Sequence, residues 1–257
     1  MSNAIIETEI SHKVFEQPGY STDLRLTPQE LRLFQDCIET QWLARIRDVY
    51  PALADRFAEV GLANYHQLAH LVDHVELWPK EYRLFPREWV QRITACPIMD
   101  RLREAFGEFT ISNVVYGDTV EQGREEIYWR LVRPHAQGDA GPLHTDKWFH
   151  ELLGPDSGLF PPGATTLKIW LAVVCEPGLN GLIVVPNSHL REWRYTGINK
   201  GGYLKPELDE PIDPASCILV PADPGTLVIF SERLLHRGAV NLGTFSRVSV
   251  EITMVFE

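Results

Sequence analysis

Leu143-His144-Thr145-Asp146 is the stretch around which the chain can be organised. The run from Leu143 to Phe149 has strand character, and side chains two apart on a strand leave by the same face. An imidazole and a carboxylate are thereby set side by side, as two neighbouring metal ligands require. His236, in the strand-like run Leu234–Ala239, is the third candidate. Two histidines and one carboxylate on one face of a metal leave the opposite positions open. That donor set suits Fe(II) in oxygenase chemistry, whereas thiolates would favour zinc or clusters.

The rest of the second half supports placing this set on a sheet. From Phe109 onward, short apolar or alternating runs are broken by Gly, Pro, Asn and Asp. The runs are Phe109–Val115, Ile127–Arg133, Leu143–Phe149, Thr165–Val174, Gly181–Val185, Ser216–Val220, Thr226–Phe230, Leu234–Ala239 and Arg247–Phe256. Many short strands with frequent turns predict a mainly β sandwich, barrel or jelly roll.

The first half reads as helical, over about residues 24–107. Thr27-Pro28-Gln29-Glu30 supplies an N-cap, a proline at N1 and a capping-box glutamate, with Leu31, Phe34 and Ile38 behind it. A second helix follows Pro51 and closes near Gly61. A third is expected from Asn64, with Leu68, Leu71, Val72 and Val75 as its apolar stripe. His66, His70 and His74 then fall on the opposite face, read here as a solvated face rather than a metal site. Pro86 to Phe106 is helical, interrupted at Pro97 and stopped at Gly107. Residues before about 23 suggest an extended arm or edge strand. The helices need a sheet face to cover, so the chain is expected to be one domain, 1–257, with a catalytic half from about 109.

Composition bounds the function. Of 257 residues, 44% are hydrophobic and 23% charged, ordinary for a globular chain with a good core. A net charge of −11 argues against a nucleic-acid or anionic-membrane surface, but not against a small-molecule substrate. Cys37, Cys96, Cys175 and Cys217 lack metal or disulfide spacing and read as reduced thiols. The start Met1-Ser2-Asn3-Ala4 carries no leader pattern and no apolar run reaches spanning length, so a cytoplasmic enzyme is expected.

On the final strand, period two puts Arg247 and Ser249 on one face. A planar guanidinium fork beside a hydroxyl is a carboxylate receptor. Lys168 interrupts an apolar strand and shares a face with Thr166 and Trp170. It is equally a carboxylate partner or an edge lysine with a buried stem. Arg130 and Arg133 fall on opposite faces, so at most one points inward. Trp148 and His150 share the parity of His144 and Asp146 and could wall the pocket, Trp148 chiefly by packing. His189 reads as a hydrogen-bonded structural residue. Gly154–Ala164 and Tyr195–Ala215 are loops long enough to act as lids.

The ordered series His144-x-Asp146, His236 and Arg247-x-Ser249 resembles the phytanoyl-CoA dioxygenase family of 2-oxoglutarate oxygenases. Leu167–Ala172 and the Gly181–His189 segment, with its Pro-x-Ser-His turn, are similar to that family's middle strands. The resemblance covers about residues 110–257. It implies a double-stranded β-helix core, with Fe(II) on His144, Asp146 and His236. It also implies 2-oxoglutarate as cosubstrate on Arg247 and Ser249, and O2 as oxidant. The implied reaction couples decarboxylation of 2-oxoglutarate, to succinate and CO2, with oxidation of a substrate C–H. The presence of Asp146 points to hydroxylation rather than halogenation. The expected substrate is a small or medium-sized polar metabolite, anionic or sugar-like. A cupin-like lyase or isomerase and a non-catalytic jelly-roll binding module are the alternatives from other classes.

Overall fold

A computed structural model of the chain describes residues 5–116, 119–154, 157–200 and 203–257. The Met1–Ala4 start and parts of both expected lids, at 155–156 and 201–202, lie outside the described residues.

The first helix, α1 (Glu9–Phe15), replaces the expected extended arm. Thr8 caps it in a capping box that has serine in place of the usual glutamate: Ser11 N donates to Thr8 Oγ1 and Thr8 N to Ser11 Oγ. The short edge strand β1 (Tyr20–Ser21) follows. Helix α2 (Pro28–Val49) starts where predicted, with Thr27 and Glu30 forming reciprocal cap bonds. Glu30 also accepts from Ile98 N and pairs with Arg101, tying two helices together. Helix α3 (Ala54–Val60) ends at Gly61, whose φ of 74° is left-handed.

The helix expected from Asn64 does not form. Two 3₁₀ turns, Leu62–Gln67 and Ala69–Leu71, lead into the short α4 (His74–Leu77). Asp73 is the cause: its carboxylate accepts from the Val75 and Glu76 N–H groups and starts a new helix there. The three histidines therefore share no face. His66 meets Ser246 Oγ at 3.2 Å, His74 meets Tyr65 Oη at 3.0 Å, and Val75 is 80% exposed. Helices α5 (Arg87–Thr94) and α6 (Pro97–Phe106) flank Pro97 as predicted.

Strands β2 (Thr110–Ile111), β3 (Asn113–Tyr116), β4 (Thr119–Glu125) and β5 (Ile127–Val132) come next. Helix α7 (Asp146–Leu153) precedes β6 (Thr165–Val174), β7 (Leu182–Val184), β8 (Tyr195–Lys200) and β9 (Tyr203–Leu208). The chain closes with β10 (Ile218–Leu219), β11 (Leu227–Ser231), β12 (His236–Gly238) and β13 (Arg247–Phe256). Among the described residues, an antiparallel six-stranded sheet runs β1-β11-β6-β13-β2, with β5 also paired to β13. A second sheet, β10-β7-β12, has three strands. The second expected lid is in large part a hairpin, β8 paired with β9. Helix and sheet contribute comparably, so the mainly β expectation holds only for the second half.

Register explains the layers. Val248, Val250, Ile252, Met254 and Phe256 alternate outward from β13 and join Leu167, Ile169 and Leu171 of β6 against Phe34, Ile38 and Trp42 of α2. On the other face, Trp170, Ala172, Val228 and Phe230 pack with Leu182, Val184 and Val220 between the sheets. Each fully buried Val, Leu, Ile, Phe or Met among these contributes about 1.5–3 kcal/mol.

Candidate active site

The Leu143–Phe149 strand is a misreading of all but His144. His144 makes a single bridge to His236, with backbone N···O distances of 3.1 and 2.9 Å, and the chain then turns into α7 at Asp146. Asp146 is the first helical residue, so its carboxylate also sits at the favourable end of the helix dipole. The ligand types stay together, but a strand bridge and a helix start hold them rather than strand parity.

The paired backbones bring the His144 and His236 rings to 4.4 Å between centroids. One ligand atom from each of His144, Asp146 and His236 lies within 4.8 Å of the others. Asp146 Oδ2 is 3.8 Å from His236 Nε2, is buried, and has no hydrogen-bond partner among the described residues. His144 Nδ1 lies 3.0 Å from the Pro142 carbonyl and His236 Nδ1 2.9 Å from the Leu234 carbonyl. A carbonyl can only accept, so each Nδ1 carries the proton and each Nε2 is left as a lone-pair donor. Phe149 stands edge-on to His144, and Phe230 packs on His236. Burial, reinforced by His236, pushes His144 down to about 4, keeping it neutral near pH 7. Burial alone would raise the Asp146 carboxyl, but Lys168 and the imidazoles hold it below the usual range. An orphaned carboxylate oxygen converging with two imidazoles whose Nδ1 atoms are committed to carbonyls fits a divalent metal.

Deeper on β13 lies the candidate carboxylate receptor. Arg247 is 2% exposed, and burial brings it down only to about 10, so it stays charged at neutral pH. Its Nη1 donates to the Gly181 carbonyl at 3.0 Å, while Nε has no partner among the described residues. Ser249 Oγ is also buried without a partner among the described residues. The guanidinium lies beside Gly238, where a Cβ would stand 3.4 Å from Arg247 Nη2. The Trp170 ring centroid is 5.5 Å from the guanidinium carbon.

Continuing along the inner face, Glu251 of β13 is contacted by Arg130 and by the Tyr128 hydroxyl, and lies 3.5 Å from Lys168 Nζ. Lys168 Nζ also donates to Thr253 Oγ1 at 3.3 Å. Burial would lower the Lys168 ammonium, but Asp146, Tyr128 and Glu251 raise it overall. Burial would raise the Glu251 carboxyl, and Arg130 and Lys168 drive it well below the usual range. Burial and Glu251 push Tyr128 up to about 12. Lys168 thus stands between the field of Asp146 and this buried cluster, and is no edge lysine.

The remaining sequence candidates separate. Arg130 points inward across from Ser249 and keeps its side chain 47% exposed despite the Glu251 contact. Arg133 is bound by both oxygens of Asp139 and acts on Tyr65 and His74 of the helical layer. Trp148 is buried and stacks on Tyr195, with centroids at 4.8 Å, so it packs the hairpin against α7. His150 lies one turn beyond Asp146 and meets Glu232 at 3.1 Å, a helical rather than strand relationship. His189 is structural: Nε2 meets the Phe15 carbonyl, and a Cβ at Gly19 would collide with its ring. Tyr128, Glu251 and Glu232 are not singled out by the sequence, and Thr166 only as a face-mate of Lys168. The parity that singled out Arg247 and Ser249 extends directly to Glu251, and that of Arg130 to Tyr128. Glu232 lies beyond its strand and gave no periodic signal.

Two facing sheets carry this donor set between them. The sequence matches the phytanoyl-CoA dioxygenase (PhyH) family over residues 32–249, and the chain belongs to that family. The match takes in most of the helical layer, which the motif resemblance left out. Fe(II) and 2-oxoglutarate are the family's cofactor and cosubstrate. A comparison with curated proteins gave no match. Among solved structures, the fold is similar to the non-haem monooxygenase ThoJ in its apo form, at TM-score 0.58 and 17% identity over 96% of this chain and 77% of that one. The nickel complex of ThoJ is similar at TM-score 0.52 and 14% identity, with the same coverage. EvdO2 from Micromonospora carbonacea var. aurantiaca, complexed with 2-oxoglutarate, has TM-score 0.47 and 19% identity over 68% and 66% of the chains. At such identities the likeness is one of fold.

Proposed function

We propose that the chain is a single Fe(II)- and 2-oxoglutarate-dependent dioxygenase unit with a double-stranded β-helix core, hydroxylating an unactivated C–H of a small or medium-sized polar metabolite. The observation that carries this is the orphaned, buried Asp146 Oδ2 facing two imidazoles whose Nδ1 atoms are already committed to carbonyls. His144, Asp146 and His236 hold the metal, and Arg247 with Ser249 receives the distal carboxylate of 2-oxoglutarate. When bound, iron and 2-oxoglutarate would let O2 oxidise the C–H bond, one oxygen atom going to the substrate hydroxyl and the other to the succinate that is released with CO2.

The protein's own part is electrostatic and steric. The Pro142 and Leu234 carbonyls fix both imidazole tautomers and ring planes. Arg247 Nε and Ser249 Oγ give two unused donors to one carboxylate, and Trp170 closes the space beside them. Lys168 keeps Asp146 ionised, and Glu251 holds Lys168 and Arg130 in place without freezing Arg130 out of solvent. Phe149 and Phe230 shield the histidines from water.

Anaerobic addition of Fe(II) and 2-oxoglutarate to metal-free protein is expected to produce a weak visible charge-transfer band. Absence of the band, together with no succinate beside any candidate substrate, rejects the proposal. Turnover without O2 would favour a lyase or isomerase instead.

A further inference from the structure

Beside the metal ligands lies a cleft of about 480 Å³ that nothing above uses. One wall is a face of α7, carrying Lys147, His150 and Glu151; the other includes Leu159, Phe160 and Pro161. Glu232 also lines it. His150 joins cleft to site, since it follows Asp146 by one helical turn. Thr166 joins them from the sheet, on the face of β6 that also carries Lys168, and Phe230, which packs on His236, stands two residues before Glu232.

The charges in the cleft are unequally matched. Lys147 is spent on Glu151 and Glu192, and Arg233 on Glu192. Glu151 has, besides Lys147, the Tyr195 hydroxyl. Glu232 meets no Lys or Arg among the described residues. Its Oε2 accepts from Thr166 Oγ1 at 2.5 Å and lies 3.1 Å from His150 Nδ1. Its side chain is 23% exposed, and no donor reaches Oε1 among the described residues. A half-buried carboxylate held in place by a hydroxyl and an imidazole, with one oxygen spare, is a receptor for a cation. The Phe160 ring, edge-on to His150 at 4.6 Å, adds an aromatic wall.

We propose that this cleft selects a substrate bearing a protonated amine on an apolar body, with Glu232 as its specificity-determining residue and His150 and Thr166 as positioning residues. The inference rests on the oxygenase reading for its meaning, and it replaces the anionic substrate expected from the sequence. The carboxylate holds the ammonium, Leu159 and Phe160 take the apolar part, and the substrate's far end extends past His150 toward the metal side.

The test uses the anaerobic complex of the protein with Fe(II) and 2-oxoglutarate, titrated calorimetrically with benzylamine, benzyl alcohol and benzoate. Benzylamine is expected to bind tightest and benzoate weakest. Glu232→Gln should weaken benzylamine roughly tenfold or more, the size of a lost charge-assisted hydrogen bond, and leave benzyl alcohol unaltered. Glu151→Gln, which removes a carboxylate already matched by Lys147, should change benzylamine affinity less than about twofold. Retention of the charge-transfer band shows that each variant is folded around an intact metal site. Benzoate binding as well as benzylamine, no saturable benzylamine binding, or equal losses in the two variants overturns the proposal. A wild type that prefers benzylamine but lacks the band would instead overturn the oxygenase reading and leave the amine cleft standing.

Discussion

The two faces of the large sheet are made by the same strands and have opposite chemistry. Alternate residues of β13 send Val248, Val250 and Ile252 to the helical layer and Arg247, Ser249 and Glu251 to the space between the sheets. On β6 the same alternation sends Leu167, Ile169 and Leu171 outward and Lys168 and Trp170 inward. The outer face gains its stability from apolar area. The inner face holds buried charge that is only partly paired, which costs stability and is tolerable because the outer face is well packed. Function and stability are thereby interleaved along single strands, and a register slip of one residue would exchange them.

That division can be broken from either side. The largest effect is expected from Asp146→Ala, which should abolish succinate formation and weaken Fe(II) binding beyond the roughly 10- to 100-fold cost of losing an outer-shell partner, read by anaerobic metal titration. Unchanged thermal stability of the metal-free variant would show that the inner face is not built for stability. Leu171→Ala, on the outer face, should cost about 2–5 kcal/mol in denaturant unfolding while 2-oxoglutarate affinity per folded molecule stays the same. If that affinity falls in parallel, the two faces are not separable. Arg247→Ala is expected to weaken 2-oxoglutarate roughly 10- to 100-fold through the lost carboxylate fork, with Fe(II) affinity nearly unaltered. Equal 2-oxoglutarate affinity in the variant would remove Arg247 from its role.

Smaller effects belong to the helical layer. Thr27→Ala should lower stability by about 1 kcal/mol through the lost cap of α2, with no change in cosubstrate binding. His74 titrates with a sign that can be worked out. Burial depresses it to about 4 in the folded protein, so its contribution is present above pH 6.5 and is lost as pH falls from there toward 4. His74→Gln should flatten that part of the stability profile, measured with metal-free protein and compared at pH 7 and pH 4.5.

The two sequence cues of the site, and one in the helical layer, differ in how they translate into structure. Arg247 and Ser249 were legible because a strand's period of two is a local property, and β13 is a regular strand. His144 and Asp146 were found for the wrong local reason: the chain leaves the bridge at His144 and enters α7 at once, and the apolar pattern of a short segment does not distinguish strand from helix. The pair survives because a bridge residue and an N1 residue can also aim at one point. Where Asp73 restarts the chain as a helix, a side chain bonding to its neighbours' N–H groups outcompeted the apolar stripe expected through Val75.

By itself the sequence determined the helix starts at Thr27 and Pro97, the alternation of β6 and β13, and the identities of the donor atoms. These follow from caps, prolines and periodicity, which act over a few residues. Only the tertiary structure decided that His144 would face His236 through a backbone bridge, that Lys168 would stand between Asp146 and Glu251, and that Glu232 would line a cleft with no Lys or Arg partner among the described residues. Those relations join residues far apart in the chain, and they are set by which sheet edges pair and how the two sheets close on one another.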